Sequence, residues 1–387
     1  MNWRDFQEKF TKGIFFLSAS STSIIILMII FFLFQQGFDI VGELPLEDDI
    51  VIVVNENVPV RELSPLDIKN INDRIVTNWK EFRGGINQEI KYITDDYIDD
   101  DETLMEVLRA TPFSVGPVYL DEWKVEDQSG LVQLELENIS YLSLLTGEFW
   151  FPTAEPVMQL GIMPLILASL LVTFGSILFA TPIGIGVAVY LSEIADPTIN
   201  KILKPFFEIL AGIPSVVFGF FGLVIVVPLV QETFNLPVGE TALVGMIVLA
   251  VMALPTIISV AEDSLSAVPK ALREASLALG ATKWQTIYKV IIPAGFSGIT
   301  TGVVLGIGRV IGETMVVLMV TGNAAAMPNS ILKPVRTMTA TIAAELGEAP
   351  FGGVHFKSLF FIACILFVFT LLINLIAEYL IEKQTKN

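Results

Sequence analysis

The chain has one cysteine and one histidine among 387 residues. Cys364 lies inside an apolar run and has no second thiol to pair with, so a disulfide framework is excluded and redox chemistry has no support. His355 has no other His and no Cys near it in sequence, and no metal site is expected. Glycine is plentiful, yet no G-x-x-x-x-G-K-[ST] run occurs, so the chain is not expected to bind or hydrolyse ATP itself. The stretch from Gly306 to Gly312 imitates a nucleotide loop, but its spacing misses the dinucleotide fingerprint and it lies within an apolar segment. Basic residues are scarce too, 23 Lys and Arg against 41 Asp and Glu, and nothing points to a nucleic acid partner. No catalytic residue and no cofactor is expected.

Apolar residues dominate what remains. They make up 53% of the chain and the mean hydropathy is +0.67, far from the balance of a soluble domain. Runs long enough to cross about 30 Å of hydrocarbon occur near residues 13–36, 160–194, 206–231, 241–262, 290–322 and 356–382. Each must be helical, because unpaired backbone groups cannot face lipid. The first run exceeds a signal-peptide core and lacks an A-x-A-like exit, so it is expected to be retained. The expected fold is an all-α membrane protein with six transmembrane helices. Its layout is an N-terminus with helix 1 (residues 1–36), an insert (37–159), and a core (160–387) holding helices 2–6 and a polar loop at 264–293.

Charge orients the chain. Arg4, Lys9 and Lys12, Lys201 and Lys204, Lys270, Arg273, Lys283 and Lys289, and Lys383 and Lys386 all fall on one side of the six-span arrangement. The opposite side has none in 232–240 and only Lys333, Arg336 and Lys357 in 323–357. Both termini and the 264–293 loop are therefore expected in the cytoplasm. Residues 37–159 hold 26 acids and 8 bases, which is the whole of the net −18, so the excess negative charge sits outside the membrane.

That insert changes character. Ser64-Pro65 is expected to open a helix carrying Ile68, Ile71, Ile75, Trp79 and Phe82 on one face and ending at Gly84-Gly85. Ile50 to Val54 and Leu131 to Glu137 pattern as strands, giving a small α+β extracytoplasmic domain. The acidic run Asp95 to Glu102 lacks EF-hand spacing and reads as a solvated loop, with electrostatic guidance of a basic partner as the functional alternative. Trp150-Phe151-Pro152 suits an interfacial anchor, and Glu262 and Asp263 are expected to be solvated where a span ends. Pro182, Pro214 and Pro255 mark expected kinks.

Inside the core, Arg309 stands in an apolar run with Glu313 four residues on, expected on the same helical face. An ionisable pair at membrane depth either locks helices together or lines a polar pathway, and Arg in particular can hold oxyanion oxygens with its planar fork. Arg336, on the outer side, is a second candidate contact. Gly298, Gly302 and Gly306 form a stripe at four-residue spacing, repeated nearby by Gly308 and Gly312, and are expected to allow close helix packing.

The polar loop carries the most specific signal. Pro269 is placed at the first helical position, Lys270 to Leu279 are good helix formers, Gly280 suits a left-handed end, and Thr282 with Gln285 forms a capping box. Leu272, Ala275, Ser276 and Leu279 share a narrow face. The order Glu274-Ala275-Ser276, then Gly280, then Val290-Ile291-Ile292-Pro293 resembles the EAA loop of ABC importer permeases; Val290 and Ile292 replace that family's usual Ile and Leu. The resemblance implies that a separate ATPase grips the loop through Arg273, Glu274, Ala275, Ser276 and Gly280. Three further stretches, Leu210 to Gly219, Gly308 to Met315 and Arg336 to Glu345, are similar to the PstC-type permease of the phosphate-specific ABC importer, within the MetI-like family. This implies a bacterial inner membrane protein that forms half of an inorganic phosphate path, with Arg309, Glu313 and Arg336 along it. It also implies three partners: a PstA-type second permease, a PstB-type ATPase homodimer and a PstS-type phosphate-binding protein. The acidic insert lies outside the match. A permease for sulfate or molybdate is the near rival, since a guanidinium pairs with any of these anions. A membrane receptor using the acidic domain is the distant one, and the short tail after the last span argues against it.

Overall fold

The computed structural model describes residues 3–46, 50–94 and 103–385, which leaves the whole of the acidic run Asp95 to Glu102 outside the described residues. Chain contacts divide it into two units, Met1–Gly161 with Ala349–Cys364, and Ile162–Glu348 with Ile365–Asn387.

In the first unit, α1 (Trp3–Phe38) precedes a small mixed domain. Its central strand β1 (Ile50–Asn55) is apolar at nearly every position because both faces are covered. Ile52 and Val54 meet Trp79, Ile68 and Ile71 on one side. Val51 and Val53 meet Leu104, Met105, Leu108 and Trp123 on the other. Around it come β2 (Glu62–Leu63), α2 (Pro65–Asn72), β3 (Lys91–Tyr92), α3 (Leu104–Ala110), β4 (Ser114–Tyr119), α4 (Leu120–Val125), β5 (Leu131–Gln133) and β6 (Glu135–Leu136). The four-stranded sheet runs β3-β4-β1-β5, with β1 antiparallel to both neighbours.

The helix expected from Ser64 to Gly84 is shorter. Ser64 and Asp67 cap α2 reciprocally, but the chain turns at Arg74 (φ 56°), Ile75 is exposed, and Trp79 sits in a separate 3₁₀ turn held by Nε1–H to the Phe113 carbonyl at 3.0 Å. The expected strand Leu131 to Glu137 likewise divides between two sheets, β5 on β1 and β6 on β2. After α5 (Tyr141–Thr146) come the paired β7 (Trp150–Phe151) and β8 (Gln159–Leu160). Trp150 is 1% exposed, its ring against that of His355, so it is a core residue and not an interfacial anchor.

In the second unit, α6 (Met163–Val189) continues through a π turn, Tyr190–Ile194. α7 (Pro197–Ala211), α8 (Ser215–Phe221), α9 (Val227–Phe234) and α10 (Ala242–Ser266) follow. The span expected at 206–231 in fact begins at Ser215. Gly212-Ile213-Pro214 separates it from α7, because Pro214 holds an extended backbone (ψ 140°) that no continuous helix accepts. α6 and α10 supply much of the main apolar core.

The polar loop forms α11 (Lys270–Ala278), α12 (Lys283–Thr286) and a π turn, Ile287–Ile291. Next come α13 (Ile292–Ala294), α14 (Phe296–Ile311) and α15 (Met315–Val320). The run expected as one span at 290–322 is therefore broken twice, with a 68° bend between the segments Lys283–Ala294 and Phe296–Ile311. α16 (Met338–Glu345) and α17 (Val354–Thr385) complete the chain. Among the described residues five helices are long and apolar enough to cross a membrane, and six if the bent pair counts as one.

Candidate functional site

The corner after α11 is built as its residue types dictate. Pro269 sits one position earlier than expected, at the N-cap (φ −54°, ψ 133°). At the other end Gly280 adopts φ +85°. Gly280 N–H donates to the Leu277 carbonyl at 3.0 Å and Ala281 N–H to the Ser276 carbonyl at 3.2 Å, the paired bonds of a Schellman ending. Thr282 and Gln285 then cap α12 reciprocally. No residue of α11 is buried; Leu272 and Leu277 are exposed and Leu279 is 89% exposed. Glu274 and Ala275 also lie on this open surface. Ser276 Oγ and Thr286 Oγ1 share a hydrogen bond of 2.9 Å. Arg273 differs from its neighbours: its guanidinium turns inward to Glu193 at 2.7 Å.

The pathway residues come together differently from expectation. α14 ends at Ile311, so Glu313 does not share a helical face with Arg309. Glu313 instead accepts at Oε1 from the Met315 and Val316 N–H groups at 3.0 and 3.4 Å, offsetting the positive start of α15. Its carbonyl accepts from Thr339 Oγ1 at 3.0 Å. Arg309 donates from Nη1 to Thr256 Oγ1 and from Nη2 to the Ala211 carbonyl, both at 3.2 Å. Both acceptors are neutral, and no ion pair joins Arg309 to a carboxylate among the described residues. Arg336 is held by Glu345 at 2.6 Å, with both side chains less than a fifth exposed. Gly312, Thr314, Thr339, Ile342 and Leu346 help line a cavity of about 550 Å³.

The glycine stripe splits into two kinds. A Cβ at Gly298 would run into the Ser264 side chain, one at Gly302 would press on the backbone of Ile257 and Ala261, and one at Gly306 would meet Ile257 Cγ1 at 2.8 Å. These three allow α14 to lie close on α10. Gly308 and Gly312 face open space with nothing within 4 Å, so the packing role expected of them within this chain is not there. At the end of α10, Glu262 is buried and not solvated. It takes Lys204 Nζ at 2.5 Å and Ser266 Oγ at 2.9 Å, while the exposed Asp263 takes the same Lys204 at 2.7 Å. Those hydrogen bonds, Asp263's first and Glu262's second, hold the Lys204 ammonium well above its ordinary pKa.

A sequence profile of the binding-protein-dependent transport system inner membrane component family matches residues 180–386. The chain belongs to that family. It is 41% identical over 256 residues to the probable ABC transporter permease protein YqgH of Bacillus subtilis, covering 66% of this chain and 82% of that protein. It is 36% identical over 260 residues to the phosphate transport system permease protein PstC of Mesorhizobium japonicum (62% of this chain, 78% of that one). With PstC of Haemophilus influenzae the figure is 35% over 265 residues (63% and 82%). A solved chain of the MetNI methionine ABC transporter in an inward facing conformation aligns with a TM-score of 0.45 at 21% identity, over 58% of this chain and 97% of that one. The expected resemblance to PstC-type permeases and the helical membrane fold both stand. The chain is a multi-pass permease subunit of an ABC importer.

Sequence reasoning missed four partners of the permease's charged groups: Glu193 for Arg273, Thr256 and Ala211 for Arg309, and Lys204 for Glu262. They lie 53 to 98 residues away along the chain, and no spacing rule connects them.

Proposed function

We propose that this permease forms half of the path of an ATP-driven inorganic phosphate importer and is driven by a separate ATPase gripping α11 and the Gly280 corner. The observation that carries the reading is Arg309. Its charge lies within an apolar segment and among the described residues meets a hydroxyl and a carbonyl but no carboxylate, so an anion gains more beside it than beside an Arg already paired with a carboxylate. Identity with proteins named PstC, over about four fifths of their length, supports phosphate as that anion. Gly308 and Gly312 leave backbone open around Arg309, and Gly312 also lines the cavity with Thr314 and Thr339. The partners are a second permease of PstA type, two copies of a PstB-type ATPase and a PstS-type phosphate-binding protein outside. ATP binding closes the ATPase pair, the helix at the corner moves with it, and the path opens outward to receive the anion; hydrolysis resets it. In this arrangement both termini and the α11 corner are cytoplasmic, the domain at 37–159 is outside, and Arg336, already paired with Glu345, is a weaker second contact along the path.

Uptake by proteoliposomes holding the complete complex tests this, with phosphate, sulfate and molybdate offered in turn. Phosphate uptake that needs ATP and falls when Arg309→Gln is introduced supports the reading. Uptake of sulfate or molybdate alone would replace the substrate, and transport indifferent to Arg309→Gln would remove the site.

A further inference from the structure

A helix that conveys force into a membrane has to be held by something. No residue of α11 is buried, and only the Arg273 and Ser276 side chains on it are partly covered. Ser276 is bonded to Thr286 in the adjoining α12, a local tie within the same loop. Arg273 is bonded to two of the long helices. Its Nε donates to Glu193 Oε1 and Oε2 at 3.1 and 3.3 Å and its Nη2 to Oε1 at 2.7 Å; Glu193 belongs to the π turn that ends α6. The same Nη2 donates to the Leu265 carbonyl in the last turn of α10 at 2.9 Å, and Nη1 donates to the Val268 carbonyl just beyond that helix. The Glu193 side chain is 8% exposed and that of Arg273 20%, so this fork-to-fork pair is largely shielded from water. Beneath it, Ala188, Val189, Ala261, Leu265, Ile287 and Ile291 belong to a small apolar cluster that fixes the ends of α6 and α10 to the start of the next span.

We propose that Arg273 is a positioning residue that conducts the movement of α11 into α6 and α10, through Glu193 and the carbonyls of Leu265 and Val268. Its guanidinium points into the permease, so its part in coupling is played inside this chain, behind the surface that Glu274 and Leu279 present outward. The proposal rests on α11 being the coupling helix, as argued above. A flexible lysine cannot replace the fork, since an ammonium is a point charge that holds one carboxylate oxygen without fixing an angle.

The test uses the complete complex in proteoliposomes. Arg273→Leu alone would leave the Glu193 charge buried and unpaired, so the informative variant is Arg273→Leu with Glu193→Leu, which removes both charges together. Arg273→Lys and Glu193→Gln accompany it as variants that keep the polar environment. In the assembled double variant ATP hydrolysis is expected to continue, while phosphate transported per ATP falls about tenfold or more, the size of one lost charge-assisted tie. Arg273→Lys and Glu193→Gln are expected to give intermediate losses. Spin labels attached at Ala271→Cys and Ile194→Cys, in a Cys364→Ser background, should report a broadened distance distribution in each variant. Unchanged transport per ATP in Arg273→Lys and in the double variant, with an unchanged distance distribution, overturns the proposal. Cross-linking from Leu279→Cys to the ATPase separates the two ideas. If no cross-link forms in the otherwise native complex, the coupling-helix reading fails and the strut falls with it. If it forms and the variants stay fully coupled, only the strut fails.

Discussion

Gly280→Val probes the corner by conformation alone. A Cβ at position 280 would meet nothing within 4 Å, so steric collision with the rest of the fold contributes nothing. What the valine meets is its own backbone: φ is +85°, and holding an L residue in the left-handed region costs roughly 1–2 kcal/mol, with a β-branched side chain at the upper end. The alternative is to open the corner and give up the bonds from Gly280 and Ala281 to Leu277 and Ser276, worth about 1 kcal/mol each. The two routes cost nearly the same. Either way, the closed corner loses about 2 kcal/mol, or about thirtyfold in its closed-to-open ratio. Hydrogen exchange of a peptide covering residues 276–284 should accelerate by that factor in the purified complex, and phosphate uptake should fall while the amount of inserted permease stays constant. Gly280→Asn, which tolerates the left-handed region, should retain most of both. A valine variant with native exchange and native uptake would refute the argument that the left-handed corner matters for coupling.

Lys204→Met leaves the buried Glu262 carboxylate with only Ser266 Oγ; because the Lys204 side chain is 35% exposed and water can partly replace it, the loss should be about 1–3 kcal/mol, below that of a fully buried pair. The apparent melting temperature should drop and recover in Lys204→Met with Glu262→Met. Since the Lys204 pKa is raised on folding, the stabilisation should be fully present below an ordinary lysine pKa of about 10.4 and decline progressively as pH rises from there towards the raised value, so a melting series up to pH 11 should show it intact through the neutral range and starting to fall only at the alkaline end. Gly298→Leu should reduce the yield of monodisperse permease by driving α14 off Ser264, whereas Gly308→Leu, in open space, should leave yield intact and lower uptake if it narrows the path. Glu313→Gln keeps an oxygen for the Met315 and Val316 N–H groups, so it should preserve assembly and transport far better than Glu313→Leu, measured as uptake per complex.

Sequence by itself determined what local chemistry controls. Long apolar runs become helices because lipid satisfies no backbone group, and the main core and span candidates fall where those runs lie. The α11 corner was equally legible, since Gly280, Thr282 and Gln285 act over one turn of chain and need nothing distant. Gly298, Gly302 and Gly306 could be read as a packing stripe from spacing alone, but whether Gly308 and Gly312 extended it depended on where α10 ran. Tertiary structure also decided the pairing of charges. Arg309 and Glu313 look like an i, i+4 pair only while the helix continues, and α14 stops at Ile311 between them. Glu262, at a span end where solvent was the natural expectation, is buried because Lys204 arrives from α7. Arg273, grouped by motif with the outward-facing residues, is drawn inward by Glu193, 80 residues earlier in the chain. Hydrogen bonds and ion pairs act over a few ångströms, and only folding brings such distant residues within that range.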